Sequence, residues 1–304
     1  MKLNSDFTTK FASLHFDPTK YVVSPSFGVN RFMIDRVGNE KARATTIVEY
    51  KPNSKFPQHT HIGGEEFLVL KGTFKDQYGI FPAGTYVRNP VGTKHAPWVD
   101  DDGCVIFVKL LQMTDTKYET STIPDGQSLH VSYDKDDVDG KKKSNKAISC
   151  EYGKVLEMYS NPTTGEHVTM NWIDGGMDFP PSSLSISGGE ELFILQGSLE
   201  LEQVEKGQSA AKTETYTEWG WLRFPPSTAT TETNGENGLV RRSTATSTSS
   251  DDSSNKTNAH DYKIKAGPDG AQVYRKCGHL TQEALSYEKI QIDPETEEVI
   301  VKSS

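Results

Sequence analysis

The chain repeats itself, and the repeat limits what it can fold into. The stretch GGEEFLVLKGTF from Gly63 returns as GGEELFILQGSL from Gly188, with six of twelve positions identical and most of the others apolar or small in both copies. Further along, VRNP ending at Pro90 matches LRFP ending at Pro225, and GCVIFVK from Gly103 matches GAQVYRK from Gly270. Two related domains are therefore expected. A chain of 304 residues has room for them, since one domain commonly takes about 100–150 residues. The offset between the copies grows from 125 to 135 and then 167 residues, so the second copy carries two insertions. The small one lies near VEKGQSAAKTE. The large one, 227–258, is rich in Ser, Thr and Asn and reads as a disordered loop that cannot bury a core. The expected division is 1–112 for the first domain, 113–150 for a polar connector, 151–281 for the second domain and 282–304 for a C-terminal tail.

Within each copy the apolar runs are short and separated by Gly, Pro and Asp turns: ATTIVEY, EEFLVL, GTYVRN and CVIFVKLL, then HVTMNWI, EELFILQ, WGWLRF and AQVYRK. No long segment of helical period competes with them. The pattern predicts an all-β sandwich or barrel rather than alternating strands and helices.

Composition excludes several partner classes. With 42 acidic against 33 basic residues, the net charge of −9 gives no footprint for nucleic acid or an anionic membrane. The one basic run, Lys141 to Lys143, adjoins DKDDVDG and reads as a solvated loop. Three cysteines, Cys104, Cys150 and Cys277, stand in no CxxC spacing, so neither a disulfide framework nor a thiolate metal site is indicated. The N-terminus lacks an apolar core and no window approaches a membrane span, so a cytoplasmic protein is expected.

The chemistry concentrates in FPQHTHIGGEEFLVL, residues 56–70. Alternate side chains of an extended strand share a face, which puts His59 and His61 about 7 Å apart along the backbone. Gly63 and Gly64 then allow a sharp turn, and Glu65 opens the next strand toward the same interior. Downstream, Gly84, Pro90 and Gly92 bend the chain just before His95, which can return to the first three. Three imidazoles and one carboxylate suit Zn, Fe(II), Mn, Ni or Cu, with positions left for water or substrate. Glu66, beside Glu65, reads as a surface carboxylate. Phe67 and Val69 share the Glu65 face while Leu68 and Leu70 take the other, so a covered outer face is expected.

The combined pattern, His59-x-His61-x3-Glu65-x6-Gly72 followed by Gly84-x5-Pro90-x-Gly92-x2-His95, resembles the two motifs of the cupin superfamily. More narrowly, the first copy is similar to the ChrR-like cupin domain, which in bacterial anti-sigma factors follows a separate zinc-binding module. No His and Cys cluster precedes residue 40, so the anti-sigma role does not carry over. The resemblance implies a bicupin of two jelly-roll β-barrels with one divalent metal ion, Zn or Fe(II), held by His59, His61, Glu65 and His95. It implies a small-molecule ligand or substrate, and a homodimer is one expected assembly. Dioxygenase chemistry is the first functional expectation, with a zinc-binding sensor or a structural bicupin as the alternatives.

The second copy keeps the acid as Glu190 but has Ser and Leu where the histidines should stand. His260 aligns with His95 once the large insertion is removed, which leaves open a vestigial site with Glu190. Tyr86 and Arg88 could meet a substrate anion, yet Arg88 recurs as Arg223, which favours a structural role. Tyr78 and Trp98 are candidates for the mouth. His15, His130, His167 and His279 lack ligand spacing.

Overall fold

The computed structural model describes residues 1–113, 129–132, 147–205, 211–226, 260–281, 290–292 and 299–301. The expected disordered insertion 227–258 lies outside the described residues, as do most of the connector and much of the C-terminal segment.

Two short strands open the chain, β1 (Lys2–Leu3) and β2 (Ala12–Leu14). There follow β3 (Val22–Val23), β4 (Val29–Gly38), β5 (Ala42–Tyr50), β6 (His59–Thr60), β7 (Glu65–Asp76), β8 (Gly79–Pro82), β9 (Thr85–Asn89), β10 (Lys94–His95) and β11 (Cys104–Leu110). Two strands fall within the polar connector, β12 (Leu129–Ser132) and β13 (Ile148–Cys150). Then come β14 (Gly153–Asn161), β15 (Glu166–Ile173), the helix α1 (Ser183–Gly188), β16 (Glu190–Glu205), β17 (Lys212–Tyr216), β18 (Trp221–Phe224) and β19 (His260–Cys277). A last antiparallel pair, β20 (Ile290–Ile292) with β21 (Val299–Val301), lies in the C-terminal segment. Among the described residues no helix is long and apolar enough to cross a membrane.

The strands form two compact units. One comprises Met1–Ser5, Asp17–Lys146 and Ser286–Ser304; the other comprises Asp6–Phe16 and Ala147–Leu285. In the first unit the sheet order is β1-β4-β5-β11-β7-β9-β12, with β3 on β4 and β8 on β7. In the second it is β13-β14-β15-β19-β16-β18-β2, with β17 on β16. The central five strands correspond one for one, and their neighbours pair antiparallel in both units. Both units are all-β jelly rolls, as the turn spacing predicts. The N-terminal segment departs from simple chain order: β2 precedes every large strand of the first unit, yet it pairs with β18 of the second.

Alternation explains each core. In β7, Glu65, Phe67 and Val69 face inward; Phe67 and Val69 pack with Val48, Phe74, Phe81, Val87, Ile106 and Val108. The second barrel packs Leu192, Ile194, Leu199, Leu201, Leu222 and Val273 in the same way. Burial of these side chains is the main term holding each barrel closed. The opposite face is also buried. There Glu66 is not a surface carboxylate, because Tyr86 donates its hydroxyl to Glu66 Oε2 at 2.6 Å and Arg88 Nη1 pairs with the same oxygen at 2.9 Å. Tyr86 and Arg88 are thus committed to Glu66, on the side of the strand away from the histidines.

Candidate metal centre

The local backbone explains how four distant residues meet. His59 and His95 are direct partners in the β6–β10 pair. The Pro90 to His95 turn is clamped onto His61, whose backbone N–H donates to Thr93 O at 2.9 Å while Gly92 N–H donates to His61 O at 2.9 Å. Gly64 completes the approach with φ of 75°, where a Cβ would lie 1.8 Å from Met113 Cγ. Only glycine fits there. Glu65 then enters β7 facing inward.

One ligand atom from each of His59, His61, Glu65 and His95 lies within 4.8 Å of all the others. Glu65 Oε1 stands 4.0 Å from His61 Nε2 and 3.8 Å from His95 Nε2. The three imidazoles meet edge to face, with ring centroids 4.6 to 5.2 Å apart. Bonds of about 2.0–2.2 Å to a shared ion would put ligand atoms roughly 3–4 Å apart, so the two Glu65 separations fit. Two further observations support the fit. Among the described residues His61 Nε2 is buried with no hydrogen-bond partner, and such an orphan is costly unless something fills its lone pair. His59 Nδ1 lies 3.1 Å from Pro57 O and His95 Nδ1 lies 3.0 Å from Asp76 Oδ2. Each Nδ1 that donates there leaves its Nε2 free for a metal.

Asp76 and Asn89 were not anticipated from sequence. Asn89 is the register partner of Glu65 and donates its amide to Glu65 Oε1 at 3.0 Å. Asp76 accepts from the N–H groups of Tyr78 and Gly79 through Oδ1, closing the β7–β8 turn, and from His95 through Oδ2. Its only sequence signal was alternation: it lies two residues beyond Phe74, on the interior face.

Electrostatics match the geometry. Burial pushes the His61 imidazole below its ordinary value, and the attraction of Glu65 offsets this only in part. Burial by itself would raise the Glu65 carboxyl, but His61 first, then His95, His59 and the Asn89 amide, hold it below the usual carboxylate range. Both shifts favour the metal-binding forms, a neutral imidazole and an ionised carboxylate. The Tyr50 phenol is pushed well above its ordinary value by burial and then by Glu65, so it stays a hydrogen-bond donor.

The cluster borders a cavity of about 650 Å3 whose wall includes Val29, Val48, Tyr50, Phe74, Val108 and Leu110. His59 is the exposed member of the four. Trp98 lines a neighbouring groove and pairs through its backbone with Lys55 and Lys75, while Tyr78 points into solvent.

Among its described residues the second barrel assembles no such set. Glu190 is fully buried, but Arg275 Nε pairs with its Oε1 and Ser185 donates its hydroxyl to the same oxygen at 3.0 Å. Arg275 also donates to Pro180 O and lies over the Phe179 ring. A guanidinium thus serves the carboxylate where a metal would. His260 is not the counterpart of His95: it pairs with Glu205 at one end of β19, while Glu190 pairs with Cys277 at the other. His15 and His167 pair with exposed carboxylates, Glu214 and Glu157. His279 is buried 3.5 Å from Glu191, and His130 is placed in β12 by its backbone.

Two antiparallel jelly rolls, one with three histidines and a carboxylate converging inside it, give the chain a duplicated cupin-like barrel architecture. Residues 9–114 match the ChrR cupin-like domain family. No curated protein sequence matches the chain. Among solved structures, the putative glyoxylate-induced protein from Pseudomonas aeruginosa is similar at 10% identity and a TM-score of 0.55, covering 89% of each chain. The protein Ylba from E. coli is similar at 13% identity and a TM-score of 0.50, covering 89% of this chain and 92% of its own. At such identities the likeness extends to the fold and no further.

Proposed function

We propose that the first barrel binds one divalent metal ion through His59, His61, Glu65 and His95 and uses it to act on a small molecule, in a dioxygenase-type oxidation of a chelating ketone or phenol. The observation that carries this reading is the convergence of four ligand atoms, one of them a buried orphan nitrogen, on the wall of a cavity that also carries Val29, Val48, Phe74 and Val108. Iron(II) in such a site supplies Lewis acidity and one-electron chemistry toward a chelating substrate and dioxygen. The chain's own residues do the rest. Val29, Val48, Val108 and Leu110 keep water from the reacting end, Tyr50 offers a protonated hydroxyl, and Asp76 fixes the proton of His95 on Nδ1.

A zinc-binding sensor is the second reading, favoured by the match to the ChrR cupin-like domain. Oxygen uptake separates the two. Metal-free protein is loaded anaerobically with Fe(II), offered a panel of β-diketones, hydroxyaryl ketones and phenols, and then exposed to air-saturated buffer. The dioxygenase reading expects uptake with at least one compound, abolished in Glu65→Ala and His95→Ala. If no compound stimulates uptake and protein from its source carries only zinc, the sensor reading replaces it.

A further inference from the structure

The cavity wall carries charged side chains that the metal reading does not use. Arg31 lies on β4, and the register places Arg31, Val48, Ile106 and Val69 directly across four adjacent strands. Residues aligned in this way share one face of the sheet. Val48, Ile106 and Val69 belong to the barrel core, so Arg31 is an arginine on an apolar inner wall. It borders the same cavity as the three histidines and Glu65.

Its side chain is 15% exposed, and among the described residues its ion-pair partner is Glu40, with Nη1 at 3.2 Å from an Oε2 whose side chain is 66% exposed. A pair that open to water contributes little and does not explain the placement. The other edge of the guanidinium is left without work, for Nε is buried and has no hydrogen-bond partner among the described residues. Such an edge is built to take a carboxylate through parallel N–H donors. Lys41 adds a second positive charge at the border, against Glu40.

We propose that the cavity selects a small-molecule carboxylate, whose anionic group docks on the Nε edge of Arg31 while its opposite end faces His59, His61, Glu65 and His95. Arg31 is a specificity determinant, and only the placement of the ligand's far end rests on the metal reading above.

The test compares 2,4-dioxopentanoate with acetylacetone, which shares the diketone but lacks the carboxylate, by calorimetric titration of the full chain loaded with cobalt(II). Wild type is expected to bind dioxopentanoate at least about tenfold more tightly. Arg31→Gln should erase that preference while leaving cobalt content and acetylacetone affinity unchanged. Glu40→Gln, which removes the competing carboxylate from an exposed position, should strengthen dioxopentanoate binding by about two- to threefold. Equal affinities in wild type, or an Arg31→Gln variant that weakens both compounds alike or neither, overturn the proposal. A chain that takes up no cobalt overturns the metal centre instead. The arginine is then decided by benzoate on the metal-free chain, where Arg31→Gln must abolish the saturation-transfer signal seen with wild type; a signal that persists, or none in wild type, sinks it.

Discussion

Asp76 shows how much of a metal site resides outside its ligands. One carboxylate oxygen closes the β7–β8 turn and the other holds His95 Nδ1. Asp76→Asn keeps an oxygen for the turn but offers the imidazole an N–H donor in place of an acceptor, so the ring loses its fixed orientation. Metal affinity should fall about 10- to 100-fold with the fold intact, measured by competition with a chromophoric chelator and checked by circular dichroism. Unchanged affinity would mean that Asp76 serves only the turn. The four candidate ligands were legible in the sequence because strand alternation and the Gly-Pro-Gly bends fix where each side chain goes. Asp76, Asn89 and Arg31 were not, since their roles depend on which strand lies opposite. Glu66 was misread for a related reason: alternation separates two faces, and it cannot tell that both are buried.

At the scale of elements, β7 with β11 and β16 with β19 are the same device put to two ends. In the first barrel Val108 stands opposite Phe67, beside the cavity; in the second, Arg275 stands opposite Leu192 and reaches Glu190. The exchange of an aliphatic for a guanidinium puts a covalently attached cation beside the carboxylate that, in the first barrel, belongs to the candidate ligand set. Glu190 is fully buried, so Arg275→Met should strand its charge and cost about 3–5 kcal/mol, whereas Arg275→Met with Glu190→Leu should recover most of that loss. Urea unfolding followed through Trp172, Trp219 and Trp221 reads this unit. Equal destabilisation by the single and double variants would show that packing, not the uncompensated charge, sets the cost. Sequence comparison found the matching strands but lost register after the long insertion, which is why His260 aligned with a histidine it does not replace.

For the whole molecule, duplication supplies two barrels of one topology, and divergence has left a complete candidate ligand set, among the described residues, in the first alone. The repeat made this division legible, because a gene-doubled β-domain preserves its turn glycines and core positions. The membership of β2 was hidden, since nothing in ASL at residues 12–14 tells which barrel it will join. Whether one chain holds one metal ion in the first barrel is decided by elemental analysis of chelator-free preparations of wild type and His59→Ala/His61→Ala. About one equivalent of divalent metal per wild-type chain and essentially none in the double variant is the predicted result. Near-stoichiometric metal retained by the double variant, or none in the wild type after incubation with Fe(II), Mn(II) or Zn(II), would contradict it.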